Sequence, residues 1–244
     1  MTLARMAPLA KPERTVIIVD ESHRSLLNGC EVPNGMKVLF QPADRGTATG
    51  VLMALMPVLA SAPDDVVVLT PSDHAVADGA GFRRGVRAAV RLAEATRAIT
   101  LFAVEPSEAS PDFGWIIPDR RDGHVARVTG FVEKPDVALA ERLHDQGAVW
   151  NTMVVVGRAA DVRALYGVNL PELVSVFDTA IRLDDEVRDR FLAQAYRELP
   201  PRDFSRDVLE PSRSLFVHTW PATIGWSDLG TPERLHRWLK AGAA

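Results

Sequence analysis

The residues of this chain best suited to chemistry are carboxylates, a lysine and an asparagine placed where apolar runs end. Thr70-Pro71-Ser72-Asp73-His74 follows the run Val66–Leu69. In an open α/β sheet, ligands bind at the carboxyl ends of strands. A carboxylate there can hold magnesium, a hard cation that takes oxygen ligands, although Asp after Pro-Ser also commonly closes a turn. His74 reads as a hydrogen-bonding or packing residue rather than a metal ligand.

Phe131-Val132-Glu133-Lys134-Pro135 carries a strand into a proline that opens a helix. Lys134 can neutralise a substrate phosphate and Glu133 can accept from sugar hydroxyls, though many Glu-Lys pairs are only solvated surface. Trp150-Asn151-Thr152 offers an amide that can orient a sugar hydroxyl. Trp226-Ser227-Asp228-Leu229-Gly230-Thr231 offers Asp228 as a second metal-binding carboxylate. Trp150 and Trp226 themselves read as packing residues. Gln41-Pro42-Ala43-Asp44-Arg45-Gly46-Thr47-Ala48-Thr49-Gly50 joins a strand to a helix. Such a junction presents free backbone N–H groups to an anion or a base edge, or is an ordinary loop with Thr47 as helix cap.

The surrounding elements must hold these groups in place. Thr15–Val19, Met36–Phe40 and Val66–Thr70 are short continuous apolar runs, the pattern of strands covered on both faces, which implies parallel strands with helical crossovers. Thr47–Leu59 reads as a helix with Pro57 near its far end. Phe82, Val86, Ala89, Val90 and Ala93 repeat at helical spacing with arginines on the other faces. Further helices fall near Asp136–Leu143 and Asp185–Ala195, and Met1–Leu9 reads as the tail of a helix. Alternating strands and helices predict an α/β fold, a Rossmann-like open and mostly parallel sheet with helices on both faces. With 244 residues and no internal repeat or linker, one domain over 1–244 is expected.

Composition narrows the partners. A net charge of −4 with no long basic run argues against nucleic acid. The longest apolar stretch, Val51–Ala62, is too short to span a membrane and contains Pro57. Cys30 is the only cysteine, so no disulfide forms within the chain and a reducing, cytoplasmic location is expected.

Taken in order, the motifs Arg45-Gly46-Thr47-Ala48, Pro71-Ser72-Asp73-His74, Phe113-Gly114-Trp115-Ile116, Val132-Glu133-Lys134-Pro135, Trp150-Asn151-Thr152 and Trp226-Ser227-Asp228-Leu229-Gly230 resemble those of the sugar-1-phosphate nucleotidyltransferases, most closely the mannose-1-phosphate guanylyltransferases. The resemblance runs from Arg5 to Leu239. It implies the nucleotide-diphospho-sugar transferase fold and an enzyme that joins a nucleoside triphosphate, GTP by this likeness, to a sugar 1-phosphate. Asp73 and Asp228 would then share Mg2+, with Lys134 on the sugar phosphate and Glu133 and Asn151 on sugar hydroxyls. Gly114 would leave room for the sugar, and Gly46 and Thr47 would sit near the base and ribose. The catalytic residues are accordingly Asp73, Lys134 and Asp228. A sugar phosphate is already ionised near neutral pH, so attack on the α-phosphorus calls for positioning and charge neutralisation rather than a general base.

The chain also departs from the family pattern. Relatives open with a strand and a glycine-rich loop over the triphosphate, whereas the first fourteen residues here contain no glycine. The first strand and loop are thus expected to be missing, with Met1 a late start. From this, residues 1–244 alone are expected to release no pyrophosphate from GTP and mannose 1-phosphate, leaving sugar-nucleotide binding or regulation as the alternative role. A sheet edge exposed by the missing strand implies marginal stability or homo-oligomerisation. Phe-Gly-Trp replaces the usual Tyr-Gly-Tyr, and Met153 stands where relatives often have glycine, so the sugar pocket is expected to differ.

Overall fold

The computed structural model describes residues 2–119 and 125–241; Met1 lies outside them. In chain order the main elements are α1 (Thr2–Met6), β1 (Val16–Asp20), β2 (Lys37–Gln41), α2 (Gly46–Ser61), β3 (Val66–Leu69), β4 (His74–Val76), α3 (Gly79–Thr96), β5 (Ile99–Val104), β6 (Gly114–Pro118), β7 (Val125–Glu133), α4 (Val137–Asp145), β8 (Val149–Arg158), α5 (Ala159–Asn169), α6 (Pro171–Ile181), α7 (Asp185–Glu198), β9 (Leu215–Trp220), β10 (Trp226–Asp228) and α8 (Pro232–Ala241). The chain forms two compact units, each assembled from separate segments. The first contains 1–9, 66–157 and 213–244; the second contains 10–65 and 158–212.

The first unit is built on six strands in the order β3-β8-β5-β9-β7-β6. All six residues of β5 are buried, because it lies between β8 and β9. Helix α3 lies against β5 and β9 and buries Phe82, Val86, Ala89 and Ala93, as their spacing requires. Asp78 caps its start by accepting from the Gly81 N–H at 2.8 Å. Asp136 caps α4 in the same way, accepting from the Leu139 N–H at 2.7 Å. A separate two-stranded ribbon, β4 with β10, is antiparallel.

The expectation of an open, mostly parallel sheet is corrected here. Among the described pairings of this sheet, β5–β9 is parallel, whereas β5–β8, β6–β7, β6–β8 and β7–β9 are antiparallel. Strand β6 pairs with β8 as well as β7, so the sheet turns back on itself. A continuous apolar run reports burial of both faces of a strand, and that burial is the same for either strand direction.

In the second unit β1 and β2 pair in parallel, in register from Val16 with Lys37 to Asp20 with Gln41. Helix α2 packs on α5 and α6 and buries Ala48, Leu52, Met53, Leu55 and Met56. The Tyr166 hydroxyl donates to the Ala48 carbonyl at 2.9 Å, and Arg163 of α5 pairs with Asp178 of α6.

The strands β1 (Val-Ile-Ile-Val-Asp) and β3 (Val-Val-Val-Leu) are only half-buried along their whole length. Each is an end strand of its sheet among the described residues. Unpaired apolar edges of this kind invite edge-to-edge pairing. Concentration-dependent self-association is the expected result in sedimentation velocity; a sedimentation coefficient independent of concentration would count against it.

Candidate functional site

The first unit contains six of the eight residues singled out from the sequence: Asp73, Gly114, Glu133, Lys134, Asn151 and Asp228. Gly46 and Thr47 belong to the second.

The ribbon β4–β10 brings the two aspartates together. Asp228 lies opposite His74, and the Leu229 N–H donates to the Asp73 carbonyl at 2.9 Å. Helix α1 fixes the same turn from the other side. The Thr2 hydroxyl donates to the Ser72 carbonyl at 3.0 Å, and Arg5 donates to the His74 carbonyl at 3.1 Å and to Thr2 Oγ1 at 3.0 Å. Arg5 is 8% exposed, lies 5.0 Å over the Phe82 ring, and burial lowers its pKa. Sequence reading missed Thr2 and Arg5. Their only local signal is a spacing of three on one helix face, and their partners lie about seventy residues away.

An aromatic chain runs behind these groups. His74 meets Trp226 edge-on at 5.2 Å, Trp226 meets Phe113 at 5.6 Å, and Phe113 meets Trp150 at 4.5 Å. Each ring is adjacent, or next but one, to a candidate residue: Asp73, Asp228, Gly114 and Asn151. The two tryptophans therefore pack, as their type suggested, and their packing sets the spacing of the polar groups.

His74 is a framework residue and not a metal ligand in this arrangement. Its Nδ1 accepts from Trp226 Nε1 at 3.3 Å, and its ring also donates to the Thr152 backbone. Burial lowers its pKa below 6.5, against the opposing pull of Asp73 and Asp228. The fold therefore keeps the neutral ring. That stabilisation is complete above the unfolded pKa of about 6.5 and is lost as pH falls below it. The melting temperature is expected to drop between pH 7 and pH 5, and His74→Gln should flatten the drop. Equal pH dependence in the two proteins would exclude His74 as its source.

Gly114 on β6 faces Glu133 on β7. A Cβ on Gly114 would lie 2.5 Å from Glu133 Oε2 and 3.4 Å from Asn151 Cβ, so these three residues form one wall. The Asn151 amide is held by Met153: its Oδ1 accepts from the Met153 N–H at 3.1 Å and its Nδ2 donates to Met153 Sδ at 3.4 Å. Met153 adopts φ +57°, a left-handed conformation that glycine takes without cost. Lys134 is exposed and also left-handed, at φ +48°, directly before buried Pro135.

No group of three or more metal-binding side chains occurs among the described residues. The residues present nonetheless fit a hard cation. Asp228 Oδ1 is buried with no hydrogen-bond partner, while Oδ2 accepts from Arg234 at 2.9 Å. Two carboxylates with phosphate oxygens and water completing the shell is the usual form of a magnesium site. Arg234 also donates to Asp112 at 2.6 Å and lies 4.6 Å over Phe113.

In the second unit, Gly46 (φ +79°) and Thr47 are tied to residues 202–204. The Arg202 N–H donates to the Arg45 carbonyl and the Ala48 N–H to the Arg202 carbonyl, both at 3.0 Å. Thr47 does not cap α2, whose cap position is Arg45. Its hydroxyl instead accepts from the Phe204 N–H at 2.8 Å and contacts Asp203 at 3.3 Å.

The signature of the nucleotidyl transferase family matches residues 2–242. The chain belongs to that family. It is 27% identical over 236 residues to the xanthan biosynthesis protein XanB of Xanthomonas campestris pv. campestris (strain B100), covering 94% of this chain and 50% of that protein. It is 26% identical over 232 residues to the mannose-1-phosphate guanylyltransferase ManC of Salmonella typhimurium, covering 90% and 48%. The chain thus spans about half the length of these curated relatives. The solved structure described as mannose-1-phosphate geranyltransferase from Thermus thermophilus matches 98% of this chain and 68% of its own, with a TM-score of 0.86 at 26% identity. The fold is therefore the α/β nucleotide-diphospho-sugar transferase fold, and the family's substrates are nucleoside triphosphates and sugar 1-phosphates.

Proposed function

We propose, in place of the expectation that residues 1–244 release no pyrophosphate, that this chain transfers GMP from GTP to mannose 1-phosphate, releasing pyrophosphate, with Mg2+ held between Asp73 and Asp228. A phosphate oxygen of the sugar forms the new bond to the α-phosphorus, and the bond to the β-phosphate breaks. Magnesium, when bound, would neutralise phosphate charge; the chain's own residues orient the reactants. Glu133 and Asn151 face sugar hydroxyls and Lys134 the sugar phosphate. The observation that carries the reading is the wall of Gly114, Glu133 and Asn151, with Lys134 next in the chain. The choice of guanine and mannose follows the relatives' names. A cytoplasmic setting suits exposed, unpaired Cys30, and no helix among the described residues is long and apolar enough to cross a membrane.

The test is pyrophosphate release with Mg2+, crossing GTP, ATP and UTP with mannose 1-phosphate and glucose 1-phosphate. Fastest release from GTP with mannose 1-phosphate supports the assignment, and faster release from another pair overturns it. The ion pair of Arg234 with Asp228 favours a second reading, binding of the nucleotide sugar without turnover. GDP-mannose binding by calorimetry, with no release from any pair, would favour that reading.

A further inference from the structure

Arg234 stands in the first turn of α8, where the helix dipole is positive and a cation is poorly placed. Two carboxylates hold it there. Its Nη1 donates to Asp228 Oδ2 at 2.9 Å and its Nη2 to Asp112 Oδ2 at 2.6 Å, with the guanidinium 4.6 Å over Phe113. The two arms are unequal. The Asp112 side chain is 64% exposed, and an ion pair so open to water contributes little. Asp228 and Arg234 are each only 18% exposed, so the inner arm is the stronger one. The turn closes on the same oxygen, since a Cβ on Gly230 would lie 3.2 Å from Asp228 Oδ2.

One carboxylate thus answers to two cations. Arg234 takes Oδ2 of Asp228, while Oδ1 is buried without a hydrogen-bond partner. A buried acceptor left unmade is costly, and a hard cation is the ligand a carboxylate oxygen suits. An ion on Oδ1 would share Asp228 with the guanidinium, and the two positive charges repel in a largely buried turn. Phosphate relieves that conflict. A guanidinium donates to phosphate oxygens as well as it does to a carboxylate, and often through two bonds.

We propose that Arg234 couples metal binding to phosphate binding at this site. Before phosphate enters, the guanidinium holds Asp228 and weakens its grip on Mg2+. When the nucleotide's phosphates arrive, the guanidinium passes to them and releases Asp228 to the ion. Metal and nucleotide then strengthen each other by one and the same factor. The inference rests on the proposed assignment of the metal to Asp73 and Asp228, and not on whether transfer follows.

Mn2+, a paramagnetic substitute for Mg2+, makes the metal measurable by electron paramagnetic resonance. Arg234→Gln is expected to bind Mn2+ alone on the order of tenfold more tightly than the wild type. Arg234→Lys keeps the charge and should stay near the wild type. The gain in Mn2+ affinity brought by GDP-mannose should shrink about tenfold from the wild type to Arg234→Gln. An arginine with a merely structural role would move the melting temperature and leave that gain alone. The proposal is overturned if Mn2+ alone binds Arg234→Gln no more tightly than the wild type, or binds Arg234→Lys as tightly as Arg234→Gln. An equal gain from GDP-mannose in wild type and Arg234→Gln overturns it too. Asp228→Asn should weaken Mn2+ binding; undiminished affinity there removes the metal assignment and the coupling with it. Failure of the wild type to bind GDP-mannose overturns the choice of guanine and mannose, and the comparison on Mn2+ alone still decides the role of Arg234.

Discussion

Gly46→Ala is expected to destabilise the protein by about 3 kcal/mol or more. Two effects combine. The backbone sits at φ +79°, which an alanine adopts only with strain. The new methyl would also fall 2.2 Å from the Arg202 carbonyl oxygen and 2.8 Å from that residue's backbone C and N. A flexible side chain could turn aside, but here the obstacle is backbone. That backbone is anchored on both sides of the glycine by the hydrogen bonds of Arg45 and Ala48 to Arg202. A thermal melt should show a fall of roughly 10 °C. A shift within experimental error would mean that the loop and residues 202–204 separate more easily than their contacts imply. Gly50, inside the same motif, gives a comparison: a methyl there would meet only the end of the Gln41 side chain at 3.1 Å, so Gly50→Ala should be far milder.

Lys134→Met is expected to weaken GDP-mannose binding on the order of 100-fold, and to slow any pyrophosphate release in proportion. Lys134 is exposed, and no ion pair involves it among the described residues, so its charge has no structural partner to satisfy. Its backbone is left-handed ahead of a proline, where steric restriction is already severe. Strain held at an exposed lysine points to a requirement for where its ammonium is placed. Lys134→Gly separates the two effects. Removing the strain should leave the melting temperature unchanged or raise it, while binding falls as far as in Lys134→Met. Retention of affinity within about threefold in both variants would remove Lys134 from the site.

Local order was legible wherever a single element carried it. The runs at Thr15–Val19, Met36–Phe40 and Val66–Thr70 are strands within a residue of their observed ends, and the stripe from Phe82 to Ala93 faces the core as its period demands. The expected helix Thr47–Leu59 proves slightly longer, Gly46–Ser61, and continues past Pro57. Strand direction was not legible, because Ile99–Val104 would be equally apolar beside parallel or antiparallel neighbours. The clamp of Arg234 on Asp228 and Asp112 was equally hidden, since 122 residues separate Arg234 from Asp112. The wall of Gly114, Glu133 and Asn151 became visible only through ordered motifs; each residue type alone is common. Met153 shows the reverse case. The sequence marked a departure, and the structure supplies its physical content, a left-handed backbone occupied by a side chain that holds Asn151.

The pairing of β5 with β9 has a consequence for how the protein is made. Ile99 meets Leu215 and Val104 meets Trp220, so the central strand waits for a partner more than a hundred residues later in the chain. During synthesis, β5 emerges from the ribosome long before β9, and its largely apolar surface stays uncovered on one edge in the interval. The same delay applies to Asp73, whose partner Leu229 comes later still. The loop that must close is long, and such non-local pairing slows folding and prolongs exposure to aggregation. Nascent chains of this protein should therefore depend on holding chaperones until residues 215–229 have emerged.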